Sequence, residues 1–183
     1  MDKNQLLYPN IFSSENLITK NDLKLTLDNT GNIFSLSEQI DQSKKFLSTF
    51  KSYFSFDPPA ISNFHVNKKT IIFWVRSNSY FILGNIDNKN LNSEFGSLAS
   101  ITDQTGGWVK FNINGKGSKS LFEKLLSINL DQFVEGRVIR TSINKINCFV
   151  LCNVQFQNYK IICPISFCKS MKSRLIDLTK LIE

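Results

Sequence analysis

The sequence predicts an α+β fold in which helices pack on a mainly antiparallel sheet, and three observations lead there. Short segments such as "LKLTLD" and "WVKFNI" alternate apolar and polar residues at period two, the mark of a half-buried strand. "TIIFWVR" and "YFILGNI" are separated only by Ser77-Asn78-Ser79, a spacing that joins two strands as a hairpin. The C-terminal part reads strand, helix, three strands, helix, which is not the strict alternation of a parallel α/β sheet.

The elements follow in chain order. Residues 1–20 have scattered apolar residues without a period and are expected to form an irregular N-terminal arm, with a single α+β domain over residues 21–183. Leu23 to Asp28 is the first strand. "SKKFLSTFKSYF" places Phe46, Leu47, Phe50 and Phe54 at helical spacing, and "DPP" stops that helix. After the hairpin, "NKNLNSEFG" fits a short helix ended by Gly96. "SLASITD" and "GWVKFNI" are strands, the second with Val109, Phe111 and Ile113 on one face. "SKSLFEKLLSINL" carries Leu121, Phe122, Leu125 and Leu126 on a stripe, with Ser120 and Glu123 at capping-box spacing and Ser118 as a rival cap. Three strands come next, "RVIRTSI", "INCFVLCNV" and "YKIIC", the last closed by Pro164. A final helix from Ser166 to Ile182 presents Phe167, Met171, Leu175, Leu178 and Ile182.

Composition narrows the function. Of 183 residues 42 % are hydrophobic and 16 are Phe, enough for a real core. The net charge of +7 would suit an acidic partner, but the lysines are scattered, so a nucleic-acid role is not expected. No apolar run is long enough for a membrane helix, and "MDKNQLLYPNIFSSEN" is not a secretory leader, so a cytoplasmic location is expected. Cys148 and Cys152 lie in one strand, where four residues span roughly 13 Å, too far for both thiolates to reach one zinc ion. With Cys163 and Cys168 they read as small buried hydrophobes.

Catalytic patterns mostly fail. "NINGKGSKS" has the ingredients of a phosphate loop, but Lys110 stands where the first Gly is required and Gly117 follows Lys116 in place of Ser or Thr. His65, the single histidine, has no acid or nucleophile beside it in sequence and reads as structural. Asp103 stands at a strand end before a Gly-rich turn; it is either a carboxylate that holds an amine or a pterin, or a turn-initiating Asp, and the second reading is preferred. Arg140 falls on the less buried strand face, as a solvated charge or a fork onto a neighbour's carboxylate. Trp108 shares a face with Lys110 and Asn112 as an exposed or interfacial aromatic.

Taken together, several segments resemble a known family. Asp103, Gln104, Thr105 and Trp108, then Gly115 and Gly117 before a Leu-rich helix, then Phe133, Gly136, Arg140, Thr141, Pro164, Ser166 and Phe167 match in order and spacing. They resemble the gamma subunit of heterotetrameric sarcosine oxidase, from about Ile101 to the end. The sequence departs from that pattern at Ile165 and Cys168, where the family has Arg and Ala, and at Thr105, where Ser is usual. The resemblance implies a fold related to the folate-binding domain of aminomethyltransferases. It implies a non-catalytic subunit assembled with alpha, beta and delta subunits in an oxidoreductase complex. That complex demethylates sarcosine to glycine with hydrogen peroxide and, with tetrahydrofolate, 5,10-methylenetetrahydrofolate. FAD, FMN, NAD, zinc and tetrahydrofolate would sit on the other subunits, with no cofactor, metal or catalytic residue on this chain. The expected contact residues are Asp103, Trp108, Arg140, Thr141 and Ser166. The alternative is a stand-alone, folate-binding aminomethyltransferase-like protein, for which Asp103 is the available folate-holding acid.

Overall fold

The structure, a computed structural model, describes residues 14–20 and 22–182. It has the expected α+β architecture, with mainly antiparallel sheets and helices packed on them. Where one domain is expected from the sequence, the chain divides into two compact units. One is built from the two ends of the chain, up to Thr30 and from Gly106 onward; the other is Gly31–Thr105.

In the unit built from the ends, β1 (Ser14–Lys20), β2 (Leu23–Asp28), β8 (Trp108–Asn114), β9 (Val138–Ile143), β10 (Ile146–Val154) and β11 (Asn158–Pro164) form one sheet. Its order is β1-β2-β8-β11-β10-β9, and every neighbouring pair is antiparallel. The period-two pattern turns Leu25 and Leu27 of β2, Val109, Phe111 and Ile113 of β8, and Ile161 and Cys163 of β11 to one face. There they join Leu121 and Phe122 of α3 (Ser118–Leu125) and Met171, Leu175 and Leu178 of α4 (Cys168–Lys180) in a single core. Burying each large apolar side chain contributes about 1.5–3 kcal/mol.

The expected irregular arm gives way to a strand from Ser14 on; its earlier part lies outside the described residues. β1 is an edge strand, and a bulge between Asn16 and Ile18 breaks the alternation that would have marked it. Leu17 and Ile18 both pack on the core despite being adjacent. Lys20 Nζ donates to the carbonyl oxygens of Lys180 and Ile182, at 3.1 and 2.6 Å, closing the end of α4. Lys172 pairs with Glu15 at 2.8 Å.

The second unit carries β3 (Asn32–Glu38), β4 (Phe64–Asn67), β5 (Thr70–Arg76), β6 (Ser79–Gly84) and β7 (Ala99–Asp103), in the order β4-β5-β6-β3-β7. β5 and β6 form the expected hairpin. β3 has no counterpart among the strands expected from the sequence. Helices α1 (Ser43–Phe54) and α2 (Asn88–Phe95) bury an aromatic cluster: the Phe50 and Phe54 rings are 4.7 Å apart, Phe50 and Tyr80 5.7 Å, Phe46 and Phe95 5.9 Å. Leu47, expected on the same stripe, is 46 % exposed, because spacing of four selects only Phe46, Phe50 and Phe54. α1 ends at Ser55, whose left-handed backbone lets its N–H reach the Lys51 carbonyl. Asp87 caps α2 by accepting from Lys89 N–H at 2.9 Å.

Candidate functional site

The strongest polar feature lies on the sheet face opposite the α3–α4 core, within the unit formed by the chain ends. Alternation that sends Leu25, Leu27, Phe111 and Ile161 inward sends Thr26 and Asp28 of β2, Lys110 and Asn112 of β8, and Lys160 of β11 to the other face. Register places Thr26, Asn112 and Lys160 in one row across three strands, and continues it through Leu151 of β10. Lys110 is 5 % exposed and Lys160 8 %.

Two buried ammonium groups and one carboxylate form a connected network. Lys160 Nζ donates to Asn112 Oδ1, and Asn112 Nδ2 donates to Asp28 at 3.2 Å. Asp28 also accepts from Thr30 N–H at 3.0 Å and from the Thr30 hydroxyl at 2.7 Å. Lys110 Nζ donates to the Thr30 carbonyl, while its backbone N–H donates to Asn29 Oδ1 at 3.3 Å. Asn29 is 4 % exposed, and its Nδ2 is a buried polar atom without a hydrogen-bond partner among the described residues.

The electrostatics follow from this geometry. Burial pushes the Asp28 carboxyl up, but the Thr30 and Asn112 hydrogen bonds and the Lys160 charge outweigh it and hold it below its ordinary value. Burial lowers Lys110, with Asp28 opposing. Burial also lowers Lys160, to about 8, with Asp28 opposing and the Lys110 charge adding to the effect.

The residues expected at contacts are scattered. Trp108 and Arg140 share the lysine-bearing face, bridged by Phe149: the Trp108 ring is 5.7 Å from Phe149, and the Arg140 guanidinium 5.9 Å from its centroid. Arg140 is exposed and Trp108 half-buried. Thr141, opposite Cys148 in the ladder, points to the other face and is half-buried. Ser166 is exposed in the short 3-10 turn Ile165–Phe167 ahead of α4. Asp103 belongs to the other unit and accepts from Thr105 N–H at 2.8 Å, the geometry of a turn-initiating Asp.

Other sequence readings meet specific structural outcomes. The cap of α3 is neither Ser120 nor Ser118 but Gly117; the Ser118 hydroxyl instead donates to the Gly115 carbonyl at 2.6 Å. α3 also stops at Leu125, with Leu126 extended beyond it. His65 is exposed on β4, its ring edge-on to Phe56 at 4.9 Å. All four cysteines are buried and free. Burial pushes the Cys148 thiol up to about 12 and Cys152 to about 11, and raises Cys163 and Cys168 as well. Among the described residues no helix is long and apolar enough to cross a membrane.

Sequence reasoning missed the lysine network. Its available signal was a lone lysine inside each of two otherwise apolar strands, "WVKF" and "NYKIIC". Recognising those strands as central required the strand order.

Comparison with known proteins gives a fold. No protein-family model matches the chain, and no curated protein sequence does. The structure is similar to a chain of the heterotetrameric sarcosine oxidase from Corynebacterium sp. U-96, solved in complex with pyrrole 2-carboxylate. The TM-score is 0.76 at 16 % identity, over 90 % of this chain and 87 % of that one. It is also similar to the glycine cleavage system aminomethyltransferase T from Bartonella henselae, with a TM-score of 0.56 at 8 % identity. There the match covers 79 % of this chain but only 43 % of the aminomethyltransferase. What the three proteins share at these identities is the fold.

Proposed function

We propose that this chain is the gamma subunit of a heterotetrameric sarcosine oxidase, a non-catalytic member of an oxidoreductase complex that works in the cytoplasm with alpha, beta and delta partners. The observation that carries the reading is reciprocal coverage. The match to the sarcosine oxidase chain spans 90 % of this chain and 87 % of that one, at a TM-score of 0.76. The match to the aminomethyltransferase is weaker, with a TM-score of 0.56, and the chain spans less than half of that protein's length. Asp103, the acid that the folate-enzyme reading needs, is engaged by its own turn. In this proposal the flavins, NAD, zinc and tetrahydrofolate are held by the companion chains, which carry out the oxidative demethylation of sarcosine.

The test is affinity purification of the tagged chain from its native host, followed by absorbance spectroscopy and sarcosine-dependent peroxide assay. Co-purification of flavin-containing chains with sarcosine oxidase activity is expected. Recovery of the chain alone, or turnover of sarcosine by the isolated chain, would overturn the assignment.

A further inference from the structure

We propose that β9 is a docking edge for an acidic, extended segment of another polypeptide, which adds to the sheet as a further strand. The inference concerns the unit built from the chain ends and holds whether or not the subunit assignment does.

The first observation is an unguarded edge. The sheet ends in β1 on one side and β9 on the other. A bulge breaks the register of β1, and Glu15 and Lys20 tie that strand to the helix α4 and its end. β9 has neither device: its six residues run in unbroken register with β10, without Pro or Gly. Just before it, Cys152 N–H donates to the Arg137 carbonyl at 2.9 Å, which sets the hydrogen-bonding phase. Antiparallel ladders alternate, so Ile139, Thr141 and Ile143 bond β10, while Val138, Arg140 and Ser142 turn their N–H and C=O groups outward. No backbone group among the described residues pairs with those outward groups.

The second observation is charge. From Gly136 to Ile176 the chain has no Asp or Glu. Arg140 lies within β9 and Lys145 in the turn that follows it, and both are exposed. That turn meets α4: Asn144 lines a recess of about 440 Å³ together with Lys169, Ser170, Ser173, Arg174 and Asp177. Asp177, the one acid of the recess, is paired with Lys180 at 3.3 Å. Arg140, Lys145, Lys169 and Arg174 have no ion-pair partner among the described residues. An edge of open amides that leads to a positive recess fits a strand carrying carboxylates. Main-chain pairing supplies the affinity, and the cations select acidic segments over basic ones. The same cations disfavour a second copy of this edge.

The probe is a short capped peptide in which Glu alternates with Val, and the same peptide with Lys for Glu is the control. Each is titrated against the full chain at pH 7, with binding read by calorimetry and amide hydrogen exchange by NMR. The Glu peptide is expected to bind at least about tenfold more tightly than the Lys peptide. It is expected to slow exchange of the Val138, Arg140 and Ser142 amides by roughly tenfold and to leave those of β1 unchanged. Ser142→Pro removes one outward N–H and none that bonds β10, and should weaken binding at least about tenfold. Arg174→Glu, on the exposed side of α4, should weaken it by about as much. Equal affinity for the two peptides overturns the proposal, as does binding that leaves the three outward amides unprotected. Absence of binding, or undiminished binding to either variant, overturns it too. Should Ser142→Pro fail to fold, Arg174→Glu and the exchange pattern still decide.

Discussion

Gly115 lies so close to Asp22 that a Cβ on it would fall 1.7 Å from the Asp22 carbonyl oxygen. Its φ of +108° is also outside what an L side chain readily adopts. The Gly115 N–H donates to the Gln157 carbonyl at 2.7 Å, so this turn is held by backbone on two sides. A stretch with the look of a phosphate loop is therefore occupied by the protein's own main chain. Gly115→Ala is expected to cost roughly 2–4 kcal/mol, because both the clash and the dihedral must be relieved by moving backbone. Gly106, in the preceding Gly-rich turn, would meet nothing within 4 Å with an added Cβ. Gly106→Ala should stay within about 0.5 kcal/mol. Urea unfolding midpoints of the two variants check the contrast.

How much of this was legible in the sequence depends on where each signal resides. β2 alternates cleanly because one face meets the helices, β10 and β11 stand out as short, mostly apolar runs with five consecutive buried residues each, and spacing of four along α1 marked Phe46, Phe50 and Phe54. β1 was hidden by its bulge and its exposed edge position, which removed the period. Leu47 misled because an apolar residue one step along a helix is rotated about 100° away from the stripe. The lysine network could not be read because no local pattern says that β11 lies between β8 and β10. Nor does a local pattern bring Asp28 and Asn112, eighty-four positions apart, within hydrogen-bonding distance.

Lys160 makes the stability depend on pH. Folded, it titrates at about 8, held down by burial with help from Lys110 and against Asp28; unfolded, it titrates near 10.5. Between these values the unfolded chain holds the proton and the folded chain does not, so stability from this residue is present above 10.5 and lost as the pH falls through 8. Lys160→Met should therefore be more stable than wild type at pH 7, by on the order of 2 kcal/mol. The advantage should shrink steadily between pH 8 and 10.5. Denaturant titrations at several pH values in that window measure it; a gain that does not change with pH would contradict the assignment.

The aromatic cluster of the second unit offers a test of packing. Phe50 touches the rings of Phe46, Phe54, Tyr80 and Phe95, with none of its surface exposed. Phe50→Ala removes a ring that its neighbours cannot replace and should cost about 3–5 kcal/mol. Leu47→Ala, on the exposed side of the same helix, should cost less than about 1 kcal/mol. Near-ultraviolet circular dichroism should lose its aromatic signal in the first variant and keep it in the second.

The cysteines should be chemically silent while the chain is folded. Reaction needs thiolate, and burial raises Cys148 to about 12 and Cys152 to about 11, with Cys163 and Cys168 also raised. At pH 8 a disulfide-exchange reagent is expected to label none of the four in the native chain and all four after unfolding. Prompt labelling of any one under native conditions would mean that its strand or helix opens readily.

The subunit proposal makes Arg140 the most informative surface position. Its guanidinium sits over the Phe149 ring on an exposed edge strand, so Arg140→Glu reverses a charge without emptying the core. Isolated-chain stability should change by less than about 1 kcal/mol. Thr141 makes the matched control, because its side chain turns to the opposite face beside Cys148. If the Arg140 face is where companion chains dock, Arg140→Glu should weaken assembly at least tenfold, as expected when an interfacial charge is reversed. Thr141→Val should leave assembly unchanged. Trp108→Ala is a poorer probe despite lying on the same face, since its ring packs on Phe149 and its loss would disturb the fold as well as the contact. Co-purification yield from the native host, read beside the unfolding midpoint of each isolated variant, separates loss of docking from loss of folding. Equal yields for Arg140→Glu and Thr141→Val would move the docking surface away from this face.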